Sequence, residues 1–135
     1  MKALRRFLLW AGWLVPRVSD IDGVVRFTPP PSYGQLWGSL QAAFVNDGLP
    51  ITSTRYVDVT FYAAPLIPLH IATDTTRINY PKGAQVDAFW FKKENTIVFT
   101  RTADWALVRH ELTHAILQRG DHPTEYFNLK YGTMR

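Results

Sequence analysis

The segment Val108–Pro123, "VRHELTHAILQRGDHP", constrains the fold more than any other part of the chain. Wound as an α-helix with the residues before it, it sets Trp105, Val108, Leu112, Ala115 and Ile116 on one side and His110 and His114, one turn apart, on the other. Ala103, Ala106, Leu107 and Leu117 flank the histidines, so both sides have reason to be buried. A helix that packs on a sheet with one face and lines a cleft with the other has this pattern; a solvated helix does not. The helix is expected to run from Ala103 to Arg119, with Thr102 or Asp104 as N-cap and Gly120 as the residue that stops it.

The same spacing carries chemistry. Histidines at i and i+4 can direct two imidazole nitrogens at one ion. Glu111 lies about 100° around the helix from His110, beside the ion rather than on it, which is where a general base for ion-bound water is needed. With four His and three Glu in 135 residues, an H-E-x-x-H would arise by chance about 0.003 times in such a chain.

The length fits one domain spanning residues 1–135, and 47% hydrophobic residues with eight Phe, six Tyr and five Trp can fill a real core. No cysteine is present, which excludes disulfides, thiolate metal sites and a thiol nucleophile, so any metal is held by His, Asp or Glu. The net charge of +4 divides as +2 for residues 1–50 and +2 for residues 51–135, with no basic block beyond a small N-terminal cluster. A nucleic-acid footprint is therefore not indicated.

The opening "MKALRRFLLWAGWLVPR" has three readings. Lys2, Arg5 and Arg6 ahead of the apolar run Phe7–Val15 outline an export signal, although no small-x-small cleavage site follows and the run is shorter than the roughly 20 residues of a spanning helix. Leu4, Phe7, Leu8, Ala11 and Leu14 share a helical face, so residues 1–16 also read as an amphipathic helix docked on the domain, or as an anchor touching a membrane surface through residues 1–15. Pro16 ends the segment in each case.

Further on, Ser19–Gly23 reads as a turn, "VVRFT" as a short strand and "PPPS" as a stiff connector with Ser32 as N-cap. From Tyr33 to Val45 the positions Leu36, Trp37, Leu40, Ala43 and Phe44 recur with helical spacing. "RYVDVTFYAAP" reads as a strand, Leu69–Thr73 as a further short one, and "DAFWF", "KKEN", "TIVFT" as a hairpin with Lys92 and Lys93 at its solvated tip. His70 reads as a loop or strand residue, and "PTEYFNLKYGTMR" as a tail with at most one helical turn.

His110-Glu111-Leu112-Thr113-His114 resembles the motif of the zincins, zinc metallopeptidases built around HExxH. The likeness extends to small uncharacterised metallopeptidases that combine a "PPxxYxxLW" segment, here ending at Trp37, with "VRHELxHxxL" and "GDHPxxxF", here within Val108–Phe127. The resemblance implies an α+β, zincin-like fold: a small, twisted, mainly antiparallel sheet packed against the HExxH helix with one or two further helices, its edge strand binding an extended peptide. It implies a zinc ion held by His110, His114 and a third ligand, and hydrolysis of a peptide or protein substrate by metal-bound water with Glu111 as general base. The alternative is a non-catalytic metal-binding or protein-interaction module on the same fold.

The third ligand follows no single family pattern. The metzincin motif HExxHxxGxxH would require Gly at 117 and His at 120, where this chain has Leu117 and Gly120. Thermolysin-like zincins draw a Glu from a second helix some twenty or more residues on, and no Glu follows Glu125. His122 is the first choice, provided the chain reverses at Gly120 to recover the roughly 8 Å that a helix reaching Arg119 would overshoot. Glu125 and Asp121 are the alternatives, and Asp121 could instead orient a ligand histidine. Tyr126 and Tyr131 are candidates to stabilise an oxyanion.

Overall fold

The structure is a computed structural model that describes residues 2–11, 14–72, 85–100 and 104–134. Its described residues form an α+β fold of four α-helices and a small mixed sheet. The helices are α1 (Lys2–Trp10), α2 (Pro31–Asn46), α3 (Leu69–Ala72) and α4 (Trp105–Leu117). The strands are β1 (Val25–Arg26), β2 (Thr60–Ala63), β3 (Ile67–Pro68), β4 (Gln85–Val86), β5 (Ala88–Phe91) and β6 (Thr96–Phe99).

The main sheet has the order β1-β2-β6-β5, and β3 and β4 form a separate antiparallel pair. Antiparallel bonding joins β1 to β2 and β5 to β6, whereas β2 and β6 run parallel with Phe61 opposite Ile97. The hairpin is the one expected from alternation: Phe91 pairs with Thr96 across a Lys92–Asn95 turn. Asn95 closes that turn with φ of 47°, a left-handed conformation that asparagine tolerates better than most residues.

Alternation along the strands sends side chains to two cores. Phe61, Ala88, Trp90, Ile97 and Phe99 join Tyr33, Trp37, Leu40 and Phe44 of α2 and Leu107, Val108, Leu112, Ala115 and Ile116 of α4. Phe91 and Val98 face the other way, onto Val18, Ile21, Ala64, Ile67 and Ile71. The sheet is therefore a middle layer, with α2 and α4 on one side and the 18–21 turn and α3 on the other. Ile97 and Val98, both fully buried, anchor the two cores from adjacent positions of β6. Burial of a side chain of this size favours folding by about 1.5–3 kcal/mol.

Several elements depart from the sequence expectation. Helix α2 starts at Pro31 with Pro30 as its N-cap residue, so Ser32 is inside the helix and does not cap it; proline's fixed φ already suits the first helical position. Tyr56–Asp58 forms a 3-10 turn, which shortens the strand to Thr60–Ala63 and exposes Val57. Leu69–Ala72 is a single helical turn that includes His70, with the pairing taken by Ile67–Pro68; Thr73 lies outside the described residues. Among the described residues the tail has turns and no helix.

Helix α1 docks by an unexpected side. Leu9 is buried, and the Arg5 guanidinium binds the Asp20 carboxylate through Nε and, at 2.7 Å, through Nη2. Leu4 and Phe7, expected on the docked face, are exposed together with Trp10.

Candidate metal centre

Helix α4 is capped at its start by Asp104, whose carboxylate accepts the Leu107 amide at 2.8 Å; Thr102 and Ala103 lie outside the described residues. Its body is buried on both sides as anticipated, from Leu107 and Val108 to Ile116 and Leu117, but Trp105 is 52% exposed. The helix stops at Leu117, two residues before Arg119. Gln118, not Gly120, takes the left-handed terminal conformation, with φ of 54°.

The terminal carbonyls explain why Gln118 can hold this conformation. Its side-chain amide donates to the Ala115 carbonyl at 2.8 Å and to Asn95 Oδ1 at 3.1 Å, while the Thr52 hydroxyl donates to the Ile116 carbonyl at 2.5 Å. Orphan acceptors at the helix end are thereby satisfied by partners distant in sequence. Asn95 Oδ1 also accepts from Trp90 Nε1 at 3.0 Å, so hairpin and helix end form one network.

The early stop removes the overshoot that made His122 a demanding ligand. After Gln118 the chain turns back, and the Arg119 carbonyl accepts from His114 Nδ1 at 2.8 Å. The Thr133 carbonyl accepts from His110 Nδ1 at 2.6 Å. A carbonyl can only accept, so both Nδ1 atoms carry a proton, and in the neutral form of each ring Nε2 presents a lone pair. These Nε2 atoms stand 3.3 Å apart. Burial pushes the His114 imidazole down to about 4, opposed by the Arg119 carbonyl and reinforced by the two neighbouring histidines, so it is neutral at pH 7.

His122 completes the group: one ligand atom from each of His110, His114 and His122 lies within 4.8 Å of the others. The His122 ring centre is 5.0 Å from that of His110 and 4.9 Å from that of His114. Phe127 forms an apolar wall, 4.7 to 5.1 Å from all three rings. Trp90 lies parallel to His114 at 6.3 Å. Glu111 is buried beside the cluster, with Oε2 3.9 Å from His110 Nε2. His122 is exposed, so the group opens to solvent on its side. The donor set suits a cation that accepts imidazole nitrogen, with room for an exchangeable ligand.

The other candidates go elsewhere. Asp121 is exposed and forms a forked pair with Arg119 at 2.9 and 2.6 Å, and Glu125 is exposed and accepts from the Thr124 hydroxyl at 3.3 Å; neither belongs to the histidine cluster. Tyr126 donates its hydroxyl to the Pro50 carbonyl at 2.5 Å, and Tyr131 donates to the Asp47 carboxylate. Both hydroxyls are drawn to the end of α2 because their rings pack on Phe44, so neither is aimed at an oxyanion near the histidines.

Backbone carbonyls of Arg119 and Thr133 orient the histidines, and nothing in a residue's identity announces such a role. Thr133 offers one retrospective clue, a hydroxyl residue that the fold buries completely: its Oγ1 donates to the Tyr126 carbonyl at 2.5 Å and accepts the Asn128 amide at 3.0 Å, fixing the loop whose carbonyl holds His110. Gly132 precedes it with φ of 67°, and a Cβ there would come 2.7 Å from Arg109 Nε. Gly132→Ala is expected to destabilise the fold by about 1–2 kcal/mol through the left-handed backbone, and further because displacing Arg109 breaks its Nε hydrogen bond to the Gly132 carbonyl at 3.0 Å. An unchanged urea midpoint would refute that strain argument.

Comparison with protein families, with curated proteins and with solved structures gives no match.

Proposed function

We propose that the protein is a zinc-dependent metallopeptidase of the HExxH type, with His110, His114 and His122 as ligands and Glu111 as general base. The observation that carries this reading is the 3.3 Å separation of the His110 and His114 Nε2 atoms, both with lone pairs facing inward. Two ligands at about 2.05 Å from a tetrahedral ion stand about 3.3 Å apart. In two neutral imidazoles these lone pairs repel unless a metal cation or a shared proton lies between them. Orientation of both imidazoles by backbone carbonyls is the outer support that histidine ligands of zinc commonly have.

When bound, zinc supplies an acidified water and a Lewis acid for a peptide carbonyl. Glu111, buried with Oε2 3.9 Å from His110 Nε2, would be the group to accept a proton from water there and return one to a departing amine. Phe127 and Trp90 restrict bulk water around the imidazoles. The fold supports the zincin resemblance in one further respect: of the two edge strands of the described sheet, β1 and β5, it is β5 that packs against α4, and zincins bind an extended peptide along an edge strand.

The direct test is metal dependence. Purified protein is expected to bind one zinc per chain, to cleave unstructured peptides, to lose that activity to a chelator and to regain it with added zinc. Peptide cleavage indifferent to chelation, or no stoichiometric zinc, would reject the assignment.

A further inference from the structure

The left-handed backbone of Gln118, with φ of 54°, is the least expected feature of the metal centre. Residues with a Cβ adopt it at an energetic cost and seldom do so unsupported. Two hydrogen bonds of the Gln118 side-chain amide offset that cost, one to the Ala115 carbonyl of its own helix at 2.8 Å and one to Asn95 Oδ1 at 3.1 Å. Only the second reaches another element.

Asn95 is held more firmly than the residue it braces. Its Oδ1 also accepts Trp90 Nε1 at 3.0 Å, and its Nδ2 donates to the Asp58 carbonyl at 3.1 Å. Along the backbone its amide donates to the Lys92 carbonyl at 3.2 Å, and its carbonyl accepts the Thr60 amide at 3.1 Å. Oδ1 faces two donors and Nδ2 an acceptor, so the side-chain amide has one sensible orientation. Gln118 therefore conforms to a fixed point on the hairpin.

The histidines depend on that point. Were Gln118 helical, α4 would run on toward Gly120, and each added residue would carry the chain about 1.5 Å farther past His114. Helical carbonyls point along the axis toward the C-terminus, whereas side chains lean toward the N-terminus. The Arg119 carbonyl could not then meet His114 Nδ1, as it does at 2.8 Å, and His122 would lose its approach to the pair. The same Oδ1 steadies the Trp90 indole that lies parallel to His114.

We propose that Asn95, whose hydrogen bonds go to none of the three histidines, is a positioning residue of the metal centre: through Gln118 it sets where α4 ends, and so how His114 and His122 meet the ion. The inference rests on the zinc reading above, but its geometric part holds for the metal-free protein as well.

Three variants of the full chain test it. The readouts are zinc affinity, the cobalt(II) spectrum and, without metal, the His114 Nδ1–H resonance of isotopically labelled histidine. Asn95→Gly suits the left-handed turn at φ of 47° and removes the brace. Its zinc affinity is expected to fall about 10- to 100-fold, the range for outer partners of metal ligands, with a changed cobalt spectrum and loss of the His114 resonance. Asn95→Asp retains the acceptor and should stay within about threefold of wild type. Gln118→Gly takes the left-handed conformation unaided, so in that background Asn95→Gly should cost less than about threefold. A purely structural Asn95 would lower the urea midpoint and leave the three readouts of the folded protein unchanged. Unchanged zinc affinity in Asn95→Gly, an equal loss in Asn95→Asp, or an equal loss in the Gln118→Gly background would each overturn the proposal. If the wild type binds no zinc, the zinc reading falls by itself. The His114 resonance then decides the positioning role: loss in Asn95→Gly but not in Asn95→Asp supports it, and retention in Asn95→Gly overturns it.

Discussion

Glu111→Gln is expected to retain zinc at one ion per chain and to lose peptide hydrolysis by about 10²- to 10⁴-fold, the usual contribution of a positioned general base. The reasoning is geometric. Glu111 is next to His110 in sequence, so it is turned about 100° from the ligand face and its carboxylate comes to lie beside the imidazole pair, 3.9 Å from His110 Nε2. A glutamine fills the same volume but cannot take a proton from water. The ligand set is untouched, so metal binding and catalysis should separate cleanly. Zinc content measured on the same preparation as the turnover makes the comparison internal. Wild-type turnover by the variant would remove Glu111 from the chemistry and favour a module that holds metal without using it. Loss of zinc together with activity would instead make Glu111 a support for the ligands.

How far the site could be read from sequence depends on how local each determinant is. The HExxH spacing is local and fixes which residues share a helix face, so His110, Glu111 and His114 were legible together. The hairpin Ala88–Phe99 was legible because alternation and a four-residue tip are also local. Where the helix stops was not. Gly120 is the ordinary stop signal, yet Gln118 takes the left-handed position because Asn95, from the hairpin turn, receives its side-chain amide. The parallel pairing of β2 with β6 joins segments over thirty residues apart and left no mark in either. Amphipathicity marked an apolar face on α1 without revealing which side meets the protein, since Asp20 and Asp22 decide that. Tyr126 and Tyr131 lie close in sequence to the histidines, but Phe44 holds their rings at the end of α2.

His122→Ala is expected to lower zinc affinity by more than 100-fold, beyond the 10- to 100-fold typical of removing an outer partner of a ligand. Proximity in sequence would treat Asp121, His122 and Glu125 as near equals; the fold does not. With Gln118 ending the helix after Leu117, the chain reverses within a few residues, and the Arg119 carbonyl turns to His114 as it passes. The Pro123 carbonyl then accepts the amides of Tyr126 at 3.1 Å and Phe127 at 3.0 Å, a tight turn that sets His122 over the histidine pair and Phe127 against all three rings. Asp121 is turned outward to Arg119, and Glu125 is exposed outside the cluster. Glu125→Ala should therefore leave affinity unchanged, and Asp121→Ala should alter it only as far as Arg119 shifts. Substitution by cobalt(II) adds a spectroscopic check: the visible bands of the wild type should change in His122→Ala and stay the same in Glu125→Ala. Undiminished zinc affinity in His122→Ala, or a loss confined to Glu125→Ala, would overturn the three-histidine assignment while leaving the His110 and His114 pair intact.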